Sequence, residues 1–206
     1  MEFKRHIMEQ LEERVRHLFG TSIETKMTLA DTLASSIAAA GRRLVDCLLR
    51  DNKILLCGHG GSAANCLHFS AALMNHFEVD RPPLPVITLA TDVSIMSGIA
   101  DEGRCELLFA RQIQALGQQG DILIALTTSG GSNGILHAID AAHDRGIDII
   151  VLDGRDGGQL VNHLGPEDIE LRVPGDHPAL IREMHLFILH CFCDLIDQSL
   201  FGQMTG

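Results

Sequence analysis

Positive charge is scarce: 16 lysines and arginines stand against 27 aspartates and glutamates, for a net charge of −11 at neutral pH. A nucleic-acid backbone is held chiefly by basic side chains, so direct DNA binding is excluded as a main role. Long apolar runs are also missing. None approaches the ~18 residues of a membrane span, and no charged-then-apolar signal opens the chain. A soluble, cytoplasmic protein without membrane contacts is expected. The six cysteines, at 47, 57, 66, 105, 191 and 193, include no CxxC pair and sit in apolar surroundings, which points to buried free thiols rather than a secreted disulfide framework. Repeats, low-complexity tracts and linkers are absent.

What is present suits one sizeable core: 206 residues, 46% of them hydrophobic. Short runs rich in Ile, Val and Leu alternate with longer helical patterns, at 53–57, 85–90, 121–127, 148–153 and 168–173. The middle runs are apolar almost throughout, as strands covered on both faces must be, whereas 168–173 alternates and belongs nearer an edge. Five strands separated by helices predict an α/β fold, a three-layer αβα sandwich on a parallel sheet. Ahead of the first strand, Phe19, Ile23, Met27, Ala30 and Ala34 form one apolar stripe on a long helix, and a second helix is expected from about Ser36 to Arg50. These have to pack on the flank of the sandwich or on another subunit. A closing helix is expected from Ala179 to about Leu200, with Met184, Phe187, Ile188, Cys191 and Leu195 inward.

The segment from Ile54 to Asn65, ILLCGHGGSAAN, leaves the carboxyl end of a buried strand and opens a helix. Unpaired N–H groups and the helix dipole favour an anion there, and Gly60 and Gly61 let a phosphate approach the backbone, with Ser62 adding a hydroxyl. A second loop, Thr127, Thr128, Ser129, Gly130, Gly131, Ser132, follows another central strand and places four hydroxyls beside two glycines at the same end of the sheet. Two such loops can converge on one phosphate, where ligands of open parallel sheets bind. The stretch Gly58 to Ala63 also fits GxGxxA, but Glu78 and Asp80 precede the second strand and Asp92 follows it late, so no acidic residue is placed to hold a ribose and a dinucleotide site ranks lower.

These loops and the strand pattern resemble the sugar isomerase (SIS) domain, flavodoxin-like and phosphosugar-binding, over about residues 36–201. The resemblance implies a helical extension over 1–35 and a short tail over 202–206. By resemblance, Gly60, Gly61, Ser62, Thr127, Thr128, Ser129 and Ser132 hold the phosphate, and Asp101 contacts the sugar; His59 stands where Asn is usual, as Gly131 does. Two branches of the family are similar: phosphoheptose (sedoheptulose-7-phosphate) isomerase of lipopolysaccharide heptose synthesis, and the DiaA type that associates with the replication initiator DnaA. The isomerase pattern places metal-binding His and Glu on the helix after the first loop and Gln and His on the last helix. Here those positions read His68, Ala72, Arg182 and His190, so two of four ligands are gone. Arginine is a permanent cation that repels a metal and can itself supply positive charge to a phosphosugar. The pattern therefore leads to the expectation of no metal and no cofactor, with zinc only in an isomerase, and of no catalytic residues beyond the remnants His68 and His190 and the possible base Glu183. The C-terminal stretch 191–201 is similar to the DiaA ending, which implies that Leu200 and Phe201 form an exposed anchor for DnaA on a homotetramer. Promotion of DnaA assembly at the origin, without enzymatic turnover, is the function expected on that basis, with the isomerase as the alternative.

Overall fold

The computed structural model describes residues 2–89 and 91–202, with side chains from residue 6 onward. Ala90, expected to end the second strand, and the tail from 203 lie outside them. The elements run α1 (Glu2–Leu49), β1 (Ile54–Gly58), α2 (Gly61–Met74), β2 (Val86–Thr88), α3 (Val93–Asp101), a 3-10 turn (Cys105–Leu107), α4 (Leu108–Leu116), β3 (Ile122–Leu126), α5 (Asn133–Asp144), β4 (Asp148–Gly154), a second 3-10 turn (Gly158–Asn162), β5 (Ile169–Val173) and α6 (Pro178–Phe201).

The five strands form one sheet in the order β2-β1-β3-β4-β5, and every pair is parallel. β1 and β3 at the centre are buried along their whole length, whereas edge strand β5 buries Leu171 and Val173 fully and the rest in part. This is the pattern of a sheet covered on both faces at its centre. On one face Leu55, Cys57, Leu123, Ala125 and Val151 pack with Phe109 and Ile113 of α4 and Ile135 and Ile139 of α5. Toward the other face α2 and α6 pack on each other and on β1 and β4, burying Phe69, Leu73, Met184, Ile188 and Phe192 completely.

Two buried charge clusters tie the elements at the amino ends of the strands. Before the strands, Asp121 accepts from Lys53 Nζ (2.6 Å), Lys53 N (3.0 Å) and Gln118 N (2.8 Å). Desolvation raises the carboxyl pKa, but the Lys53 and Gln118 donors outweigh it and hold it below the usual aspartate value. At the far end of α2, Arg81 donates to Asp197 of α6 (2.7 Å) and to the carbonyls of Ala72 (3.0 Å) and Leu73 (2.7 Å), which α2 leaves without helical partners.

The chain divides into two compact units, 1–34 and 35–206. The expected pair of N-terminal helices is a single helix, since nothing around Ser35 and Ser36 terminates α1. Gly41 lies within it, where a Cβ would meet Leu195 at 2.7 Å, so its lack of a side chain serves close packing rather than a break. In the first unit Phe19, Ile23 and Met27 are 67%, 56% and 64% exposed, so the apolar stripe faces outward in the single chain. In the second unit Phe187 is exposed and not inward, while Met184 and Ile188 are buried as expected. Cys105 is likewise exposed rather than buried and Cys191 only partly covered; all six cysteines are free thiols.

Candidate functional site

Gly60 caps α2 with φ 56° and ψ −120°, a backbone shape that favours glycine, and a Cβ there would meet nothing within 4 Å. The first loop is thus open above Gly60 and closed below: a side chain on Gly58 would stand 2.9 Å from Cβ of Ser62. Ser62 is buried and its N–H donates to the His59 carbonyl (3.0 Å), which fixes the first turn of α2.

The second loop is locked from beneath. A side chain on Gly130, at φ 62°, would lie 1.8 Å from the carbonyl of Gly157, and Leu160 N donates to Gly130 O at 3.0 Å. Thr127 is buried, and its Oγ1 accepts from the N–H groups of Ser129 (3.5 Å) and Gly130 (3.3 Å), so it shapes the loop. Thr128, Ser129 and Ser132 are only partly covered. Ser132 caps α5 through its carbonyl while its side chain makes no capping bond, which leaves that hydroxyl available to a ligand. β1 and β3 are adjacent and parallel, so both loops emerge at one end of the sheet.

Along the seam between α2 and α6, the Arg182 side chain crosses Gly61, where a Cβ would fall 2.7 Å from its Cδ and 2.8 Å from Nε. Asn65, not singled out from sequence, donates to the Arg182 carbonyl (2.9 Å) and helps hold this crossing. The guanidinium is half-buried and makes no hydrogen bond or ion pair among the described residues. Farther along the seam the Nε2 atoms of His68 and His190 are 2.8 Å apart, with the Phe77 ring 5.6 Å from that of His190. Burial depresses the basicity of His190, the neighbouring His68 adds to this, and Glu78 opposes it. Glu183 is exposed, and Asp101 is exposed at the end of α3.

The donor set does not suit a divalent metal. His68 and His190 are hydrogen-bonded to each other, Ala72 offers no donor, and Arg182 brings a fixed positive charge. Among the described residues no group of three or more His, Cys, Asp and Glu side chains is gathered to complete a set.

A family model described as the SIS domain matches residues 19–154. The chain belongs to the SIS-domain family. It is 50% identical over 194 residues to the phosphoheptose isomerase of Halorhodospira halophila, covering 94% of this chain and 98% of that one. Among solved structures it is similar to a phosphoheptose isomerase from Francisella tularensis (44% identity, TM-score 0.87, 90% and 97% of the two chains). It is also similar to the phosphoheptose isomerase of Neisseria gonorrhoeae (37% identity, TM-score 0.85, 91% and 99%).

These similarities overturn the expectation of a DnaA-binding protein: at about half identity and almost full length, this SIS-domain chain stands with phosphoheptose isomerases. The anchor expected at its end also has another place. Leu200 and Phe201 are only partly exposed, and the Phe201 ring lies beneath the Arg81 guanidinium, 5.8 Å from its carbon, so it covers a buried ion pair. No helix among the described residues is long and apolar enough to cross a membrane.

Proposed function

We propose that the chain binds a phosphosugar between its two loops and interconverts its aldose and ketose forms, with sedoheptulose 7-phosphate the first substrate to test. The hydrogen-bonded pair His68 and His190, lying on the same seam as Arg182 and the first loop, carries this reading. Isomerisation moves a proton between neighbouring carbons. The imidazole pair takes the proton from C1 of the ketose; the C–H electrons form the C1–C2 double bond and the carbonyl electrons move onto O2. The carbon-bound proton then returns at C2, where the double-bond electrons form the new C–H bond, while the O1–H electrons close the C1 carbonyl and the O1 proton passes to O2. Gly60, Gly61, Ser62, Thr128, Ser129 and Ser132 bind the phosphate, and Arg182 supplies positive charge to an anionic ligand without a metal. The names and lengths of the relatives support the same assignment.

The exposed apolar stripe of the first unit supports a homotetramer, checked by sedimentation, and a cytoplasmic location accords with the phosphorylated substrate.

Protein stripped with a chelator is incubated with sedoheptulose 7-phosphate and the aldose followed by NMR. Conversion is expected, and His190→Gln should slow it by about a hundredfold or more, the usual contribution of a proton-transferring group. Ser129→Asp should abolish the rise in melting temperature that the sugar phosphate gives the unaltered protein, by placing like charge in the cradle. Absence of conversion refutes the isomerase reading; stabilisation without conversion would leave phosphosugar binding alone.

A further inference from the structure

His59 lies in the first loop, yet its side chain reaches the element that follows the second. Its ring packs against Phe109 of α4, with centroids 4.8 Å apart at 49°. A Cβ on Gly134, in the first turn of α5, would fall 2.8 Å from His59 Nε2 and 3.4 Å from Cε1. Imidazole and glycine are therefore matched: the ring occupies the space that any other residue at 134 would fill. The ring accepts or donates no hydrogen bond among the described residues, and its outer edge is exposed. Around it, α4 presents Phe109, α5 presents Gly134, and the 3-10 turn before α4 presents the carbonyl of Glu106, 3.8 Å from the same Cβ position. Cys105 and Glu106 are the titratable residues of that turn, and no ionised side chain pairs with the ring among the described residues.

We propose that His59 is an anion-binding residue of the two-loop site, seated over the start of α5 by the missing side chain of Gly134, and that it takes up a proton as a dianion enters. The proposal rests on the phosphosugar reading of the loops. Desolvation against its neighbours holds the imidazole below the ordinary histidine range, so the empty site keeps it neutral at neutral pH. A dianion near α5 favours the protonated ring and reverses that effect. By reciprocity, proton and anion strengthen each other's binding. Where one proton enters per anion, affinity falls about tenfold per pH unit above the pKa of the unliganded ring.

Inorganic sulfate is the probe, because its charge is fixed where a phosphate ester would titrate with a pKa near 6. Full-length protein is titrated with sulfate at neutral pH in two buffers of different ionisation heat, which gives the protons taken up per anion. Uptake approaching one proton is expected for the unaltered protein. His59→Gln should remove the uptake and weaken binding about tenfold, Gly134→Ala should do the same by displacing the ring, and the double variant should be no worse than either. Should Gly134→Ala fail to fold, His59→Gln decides alone. Unchanged uptake or affinity in His59→Gln overturns the proposal, as does sulfate binding by the unaltered protein with no uptake. If sedoheptulose 7-phosphate still stabilises His59→Gln fully, the phosphosugar site stands and the role of His59 falls. If the unaltered protein responds to neither anion, both fall.

Discussion

At Asp153 a carboxyl group is buried without a hydrogen-bond partner for either oxygen among the described residues, with Arg172 Nε 3.5 Å from one of them and Arg172 also pairing with Glu170. Burial, and then the Glu170 carboxylate, push its pKa up to about 8, with Arg172 opposing. Because the folded pKa lies above the unfolded one, the stability linked to the bound proton is present below about pH 4 and is lost as pH rises through about 8. Asp153→Asn keeps the shape without the titration. Its stability is expected to match that of the unaltered protein near pH 4 and to exceed it increasingly toward pH 8, by up to about 1.4 kcal/mol per pH unit. Parallel curves over that range would show that Asp153 does not titrate there. The sequence carries a trace of this residue, a single acid ending the run from Ile149 to Leu152. Its burial was not legible, because Arg172 and Glu170 come from a strand that only the fold places alongside. The seating of His59 on Gly134 was hidden for the same reason, whereas the two loops were readable since glycine and hydroxyl chemistry is local.

Among the elements, α2 and α6 are held by Arg81, whose side chain is 1% exposed. Removing its charge alone leaves Asp197 buried and unpaired and takes the Arg81 donor from the Ala72 carbonyl, while Leu73 keeps its bond from Leu84 N. Arg81→Met is expected to cost about 3–5 kcal/mol, and combining it with Asp197→Leu should recover a large part of that, because the uncompensated charge goes too. Phe201→Ala uncovers the pair and should lower the melting temperature modestly, by about 1 kcal/mol of stability. Thermal unfolding of the four proteins checks this, and a double variant no more stable than Arg81→Met would refute it. The strands were legible within a residue or two, because uninterrupted apolar runs between turn residues have few other uses in a covered sheet. Arg81 was not legible: it lies beside Pro82 in what reads as a loop, and its partner is 116 residues away. The continuity of α1 was missed because helix-compatible residues at 35 and 36 were read as a boundary where no capping group forces one.

Across the whole molecule, a chain of net charge −11 would attract a dianion only by local means: two glycine loops at adjacent strand ends, the partly covered Thr128, Ser129 and Ser132, and Arg182, whose guanidinium has no partner among the described residues. The family and the two glycine- and hydroxyl-bearing loops were apparent from sequence, but the choice between branches was not. Ala72 and Arg182 speak against a metal, while the relatives matched over nearly the whole chain are named phosphoheptose isomerases. The central claim is that both loops share one phosphate and point the sugar along the seam toward His68 and His190. A crystal structure of the protein with sedoheptulose 7-phosphate tests it most directly. The account expects the phosphorus between Gly61 and Ser129, within hydrogen-bond reach of Ser62, Ser129 and Ser132, and the C1–C2 end of the sugar at the histidine pair; a phosphate outside the two loops, or a sugar directed away from α6, would contradict it.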